Sequence, residues 1–246
     1  MLGLGRSANA WQWHVSGKHP VAKDYFSSGP KSPVAEAFAE WMRRGTEKFA
    51  ASREILSRAC SWRFWAKTAT RETIVCGVVR NSCDSVGRPY PFLVMGTGLL
   101  EKWEEHWDLL PYACEGLWNQ MEQMATRNYS SFERLKEDLL ILRPPLPQWP
   151  ELDAKRSDLL AGQDFSGLNQ APAAVDRGQD IFFMPLQCAS HDPFALIIQN
   201  HITLKQKIGM VPNSLFIGGL IDQPGFALFT RPLTVSDFER MWEPAE

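Results

Sequence analysis

Between residues 61 and 95 three strand-length stretches follow one another with only short breaks. The first, 61–69, alternates: Trp62, Phe64 and Ala66 fall on one face, Arg63, Trp65 and Lys67 on the other, the period of a pleated strand. Residues 73–79 are β-branched and apolar and read as a central strand, and 90–95 follows a turn-rich segment, 81–89, as another. Together they predict an antiparallel meander.

Helical patterns surround it. In 34–50, Val34, Phe38, Trp41, Gly45 and Phe49 share one face after the entry prolines Pro30 and Pro33. Residues 101–124 predict a helix interrupted at Pro111, whose ring suits the first turn of a second helix better than the interior of one long one, with a bend there. Ser130 and Glu133 fit a capping box for a helix with Phe132, Leu135 and Leu139 inward, ending before Pro144. Pro144, Pro145, Pro147 and Pro150 then impose a stiff, extended connection. That connection divides the chain into a core, 10–142, and a C-terminal part, 143–246, expected to pack on the same core. In the second part the pattern predicts a short helix over 151–160 and a long loop over 162–179. Next comes a helix from His191-Asp192-Pro193 to Ile208, stopped by Gly209, although Ile197, Ile198 and Ile202 also suit a strand. A hairpin of 214–221 and 226–230 and a closing helix over 234–242 complete an α+β chain without internal repeats.

The 246 residues are 44% hydrophobic and 22% charged, which excludes collagen, coiled coil and disorder and leaves room for one large or two small domains. With 26 Lys+Arg against 28 Asp+Glu, the net charge of -2 draws the chain towards neither nucleic acid nor an anionic bilayer. The first thirteen residues carry one cation, Arg6, and lack the apolar core of a signal peptide, so a cytoplasmic location is expected. The longest apolar stretches, 194–198 and 215–221, fall far short of the roughly 20 residues that span a bilayer. The five cysteines, Cys60, Cys76, Cys83, Cys114 and Cys188, are odd in number and scattered among apolar neighbours, and read as buried thiols.

Catalytic motifs fail one by one. Gly17-Lys18 suggests a phosphate loop, but Gln12 stands where that motif needs Gly and His19 where it needs Ser or Thr. His14, His19, His106, His191 and His201 show no paired spacing, and no CxxC occurs, so neither a metal nor another cofactor is expected. Ser82-Cys83-Asp84 admits a Cys- or Ser-dependent hydrolase only with a remote histidine, because an adjacent carboxylate disfavours the thiolate. The other reading has Asp84 bonding backbone amides in a turn, while Gly87 lets Arg88 reach Asp84 or Asp24. The ten tryptophans suit core packing or a protein-binding surface. Trp65, on the face of Arg63 and Lys67, is the surface candidate.

Read in order, Gly17-Lys18-His19-Pro20, Asp24-Tyr25-Phe26, the Trp41 helix, Trp62-Arg63-Phe64, Gly77-Val78-Val79, Ser82-Cys83-Asp84-Ser85-Val86-Gly87-Arg88 and Tyr90-Pro91-Phe92 form a pattern. It resembles the TagF/ImpM family of type VI secretion accessory proteins, with motifs GK-x-P-x-x-GDF, WRF and PS-x-D-x-x-GR-x-FP. Lys23 stands at the family's Gly and Asn81 at its Pro, and Tyr25 and Tyr90 replace Phe. The resemblance implies a cytoplasmic, non-enzymatic protein with an antiparallel sheet flanked by helices, an α/β/α sandwich similar to longin or roadblock folds. It further implies restraint of secretion-system assembly after translation, in some members by binding a forkhead-associated scaffold protein. The fold analogy alone suggests a second partner class, a small GTPase. Lys18, Asp24, Arg63, Asp84 and Arg88 are the polar residues expected to form structural ion pairs or partner contacts.

Overall fold

The structure, a computed structural model, describes residues 11–49, 53–162, 180–186 and 192–243. Of the predicted loop, 162–179, all but Gly162 lies outside them, as do Cys188 and His191. Eight strands, β1 (Gln12–Gly17), β2 (Phe26–Ser28), β3 (Cys60–Lys67), β4 (Thr73–Arg80), β5 (Phe92–Leu99), β6 (Ile181–Pro185), β7 (Ser214–Leu220) and β8 (Gln223–Phe229), form one antiparallel sheet. Its order is β2-β1-β5-β4-β3-β7-β8-β6. The meander is β3-β4-β5, and its free edge on β3 is taken by β7, with Trp65 opposite Leu215.

Among the described residues seven helices cover the two faces: α1 (Pro33–Lys48), α2 (Arg53–Ser57), α3 (Leu110–Thr126), α4 (Phe132–Leu140), α5 (Trp149–Leu160), α6 (Pro193–Ile208) and α7 (Val235–Trp242). Phe38, Trp41 and Met42 of α1 and Phe238 and Trp242 of α7 pack with Trp62, Phe64 and Phe216 on one face. Trp118 and Met121 of α3, Leu135 of α4, Trp149 of α5 and Leu204 of α6 pack with Trp65, Val78 and Leu215 on the other. The result is a three-layer α/β/α arrangement with two apolar cores.

That double covering corrects the placement of Trp65. It is completely buried, its ring centroid 5.6 Å from that of Trp103 and 6.0 Å from that of Trp107. In a sheet covered on both sides, alternation sorts side chains between two cores, not between core and water.

Local boundaries differ where one residue decides the geometry. Residues 101–106 form turns and a bend in place of the first part of the predicted helix, Trp107–Leu109 a 3-10 turn, and α3 starts at Leu110 with Pro111 in its first turn, where a second helix is expected to begin. There Pro lacks only an amide that would be unpaired anyway. The cap of α4 is Ser131, whose hydroxyl accepts from the Arg134 amide at 3.4 Å, one residue later than predicted. A capping box does form in α7, between Thr234 and Asp237. Helix α6 follows its punctuation: Asp192 accepts from the amides of Phe194 and Ala195, and Gly209 stops the helix at φ +64°. Asp108, nearly buried, joins α5 and α6 to the segment before α3 by accepting from Arg156 and Lys205.

Candidate functional site

At one end of the sheet the β1–β2 loop, 18–25, meets the β4–β5 loop, 81–91. Gly17 permits the approach: at φ +124° any Cβ would sit 2.1 Å from the Pro91 carbonyl oxygen. The Ser85 amide donates to Ala22 O at 2.9 Å, fastening one loop to the other.

Asp84 organises both loops. It is 1% exposed, and its Oδ1 accepts from the amides of Val86 at 3.1 Å and Arg88 at 2.9 Å. Its Oδ2 accepts from Lys18 Nζ at 3.0 Å and Arg88 Nε at 2.7 Å. Burial on its own would raise the carboxyl pKa; the Arg88 amide, the Lys18 ammonium and the Arg88 guanidinium outweigh it and hold the group well below the usual range. Gly87, at φ +84°, turns the chain so that both Arg88 donors face Asp84. Arg88 Nη2 also donates to Lys23 O at 2.6 Å and lies 3.4 Å from Asp24 Oδ2. Asp24 is itself held low by the Tyr25 amide, then by Arg88. Arg88 thus reaches both carboxylates that the turn chemistry offered it.

The structure gathers Lys18, Asp24, Asp84 and Arg88 and leaves Arg63 and Trp65 elsewhere. Arg63 forms a fork with Glu122 of α3, Nε to Oε1 at 2.8 Å and Nη2 to Oε2 at 2.6 Å, and donates to Asn119 Oδ1 at 2.9 Å. Sequence reasoning missed Glu122, because a pair 59 residues apart leaves no local pattern. It also missed the rim of the loops. Val86 is 67% exposed and Tyr25 43% exposed, the latter edge-on to Tyr90 at 5.6 Å. An apolar Val inside a polar turn was the available signal.

Ser82-Cys83-Asp84 is not assembled as a nucleophile and base. Asp84 is committed to two amides and two cations, and among the described residues no histidine is hydrogen-bonded to Ser82 or Cys83. Among the described residues no group of three or more His, Cys, Asp or Glu is placed to hold a metal ion, and no helix is long and apolar enough to cross a membrane. What the two loops can do chemically is hold a rigid polar base under exposed Tyr25 and Val86.

Residues 15–141, both loops included, match the TagF N-terminal domain, described as type VI secretion system-associated. The chain belongs to this family. No curated protein matches the chain significantly. Among solved structures it is similar to the crystal structure of PA0076 from Pseudomonas aeruginosa PAO1, at 17% identity and a TM-score of 0.54, over 94% of this chain and 93% of that one. At that identity the likeness concerns the fold. One family departure has a visible use in this chain: the Asn81 side chain donates to Ile55 O and Arg58 O and accepts from Trp242 Nε1.

Proposed function

We propose that the chain is a cytoplasmic, non-enzymatic, post-translational repressor of type VI secretion-system assembly that acts by binding another protein of the system. A forkhead-associated scaffold protein is the leading partner. Family membership supports the association with the secretion system. The observation that carries the binding mode is the closed ion cluster: Asp84 spends its charge on Lys18 and Arg88 while the same loops hold Val86 and Tyr25 in solvent. Rigid loops that expose an aromatic and an aliphatic side chain over satisfied polar groups suit a protein contact, because little entropy is lost on docking.

The test is genetic and physical. Deleting the gene should raise secretion, and complementation with wild type should lower it again. The double variant Tyr25→Ser with Val86→Glu should fail to complement and should lose partners captured from the native host, with its circular dichroism and melting unchanged. Unaltered secretion in the deletion strain under every inducing condition, or full complementation by the double variant, would refute the proposal.

A further inference from the structure

Outside the loop site, Arg80 is a half-buried cation that forms no ion pair with the described residues. Arg80, the last residue of β4, follows Ile74, Cys76 and Val78 at two-residue spacing and so points to the face that α3 covers. Its guanidinium makes one hydrogen bond, from Nε to the Asn81 carbonyl at 3.4 Å, and among the described residues no carboxylate pairs with it. The adjacent carboxylate, Glu122, has both oxygens occupied by Arg63. A cavity of about 490 Å³ opens beside Arg80, between the ends of β3 and β4 and the last turns of α3, with Ser61, Asn119, Gln123 and Thr126 in its wall. The Ser61 hydroxyl and the Gln123 amide make no side-chain hydrogen bond with the described residues.

We propose that this cavity binds a small oxyanion, a carboxylate or phosphoryl group on a free molecule, with Arg80 as the anchoring cation. A half-buried guanidinium with a single 3.4 Å hydrogen bond and no ion pair recovers little of the hydration it loses, and burial accordingly pushes its pKa down, with Glu122 opposing. An incoming oxyanion restores the missing charge and fits the guanidinium fork in a bidentate way. Ser61 and Gln123 supply neutral donors for the remaining oxygens. Glu122, already forked by Arg63, adds no net charge to the pair, so Arg80 sets the local sign. This site is independent of the loop surface and of the partner proposed above.

The experiment is a titration of the full chain with inorganic phosphate and, separately, with citrate, ionic strength held constant with sodium chloride, followed by amide NMR. Saturable shifts are expected at Ser61, Asn119 and Gln123 with at least one probe by about 10 mM, ten times a 1 mM dissociation constant. The probe that saturates tells a phosphoryl ligand from a carboxylate. Arg80→Gln should weaken binding at least tenfold, and Arg80→Lys less, since it keeps the charge and loses the fork. If Arg80→Gln does not fold, the double variant Ser61→Ala with Gln123→Ala should bind several-fold more weakly. Absence of saturation with both probes, or wild-type affinity in the folded variant, would overturn the assignment.

Discussion

Asn81 offers the most discriminating test of how the fold is held. Its Nδ2 donates to Ile55 O at 3.0 Å and Arg58 O at 2.9 Å, its Oδ1 accepts from Trp242 Nε1 at 2.6 Å, and its amide donates to Cys60 O at 2.9 Å. One side chain thereby ties the end of α2, the end of β4 and the last residue of α7. In Asn81→Ala the Trp242 indole N–H, on a fully buried ring, is left unpaired at a cost of about 1–3 kcal/mol, and the two carbonyl bonds add roughly 0.5–1 kcal/mol each. Ile55 O keeps the Arg58 amide as a second donor, which limits that part of the loss. The expected total is about 3 kcal/mol, or a fall in Tm of roughly 6–12 °C for a chain of this size. Asn81→Pro, which restores the residue of the family pattern, should cost about 1 kcal/mol more, because it also removes the amide that donates to Cys60. Urea unfolding followed by far-ultraviolet circular dichroism gives the free energies. In a Trp242→Phe background Asn81→Ala should cost about 1–2 kcal/mol less than in wild type, since the orphaned donor is gone. A coupling below about 0.5 kcal/mol, or Asn81→Pro as stable as Asn81→Ala, would refute this reasoning.

Gly45→Ala should destabilise by about 1–3 kcal/mol, although Ala ordinarily strengthens a helix interior, because the new Cβ would lie 2.2 Å from Phe238 Cγ where α1 crosses α7; a rise in Tm would contradict the packing. Burial lowers the pKa of both His19 and His201 from 6.5 to about 4, with Arg80 adding to the shift at His19 and the Ile197 carbonyl and Asp108 opposing it at His201. Between those values the unfolded chain binds more protons, so stability is fully present above pH 6.5 and is lost as pH falls towards 4, at about 2–3 kcal/mol per pH unit where both histidines contribute. His201→Leu should roughly halve that slope in urea titrations across pH 4–7, and an unchanged slope would remove His201 as the cause.

The parts of the fold legible in sequence were those fixed by near neighbours. The β-branched run of β4, the Asp192 and Gly209 boundaries of α6 and the hairpin of β7 and β8 all depend on residues within a few positions of one another. Even there the turn of the hairpin is shorter than expected, since β8 starts at Gln223 and only Ile221 and Asp222 lie between the strands. Strand β1 escaped notice because Gln12, His14 and Ser16 interrupt its apolar positions and its main partner, β5, lies far along the chain. At the loop site, the hold of Asp84 on the turn amides and on Arg88 followed from local chemistry. Grouping Arg63 with that cluster did not survive, because motif order carries no information about which side of a strand faces which helix; Glu122 of α3 claims Arg63.

The place of β7 in the sheet has a consequence for how the molecule is made. Strand β3 carries Trp62, Phe64 and Trp65 and lies mid-sheet, yet its second neighbour spans residues 214–220, on the order of 150 positions later. While the ribosome is still adding that interval, the nascent polypeptide presents an uncapped ribbon of amides and carbonyls flanked by large aromatics, the kind of edge that recruits other chains. Late closure of this gap makes the hours of high expression, more than storage of the finished protein, the period in which aggregation threatens.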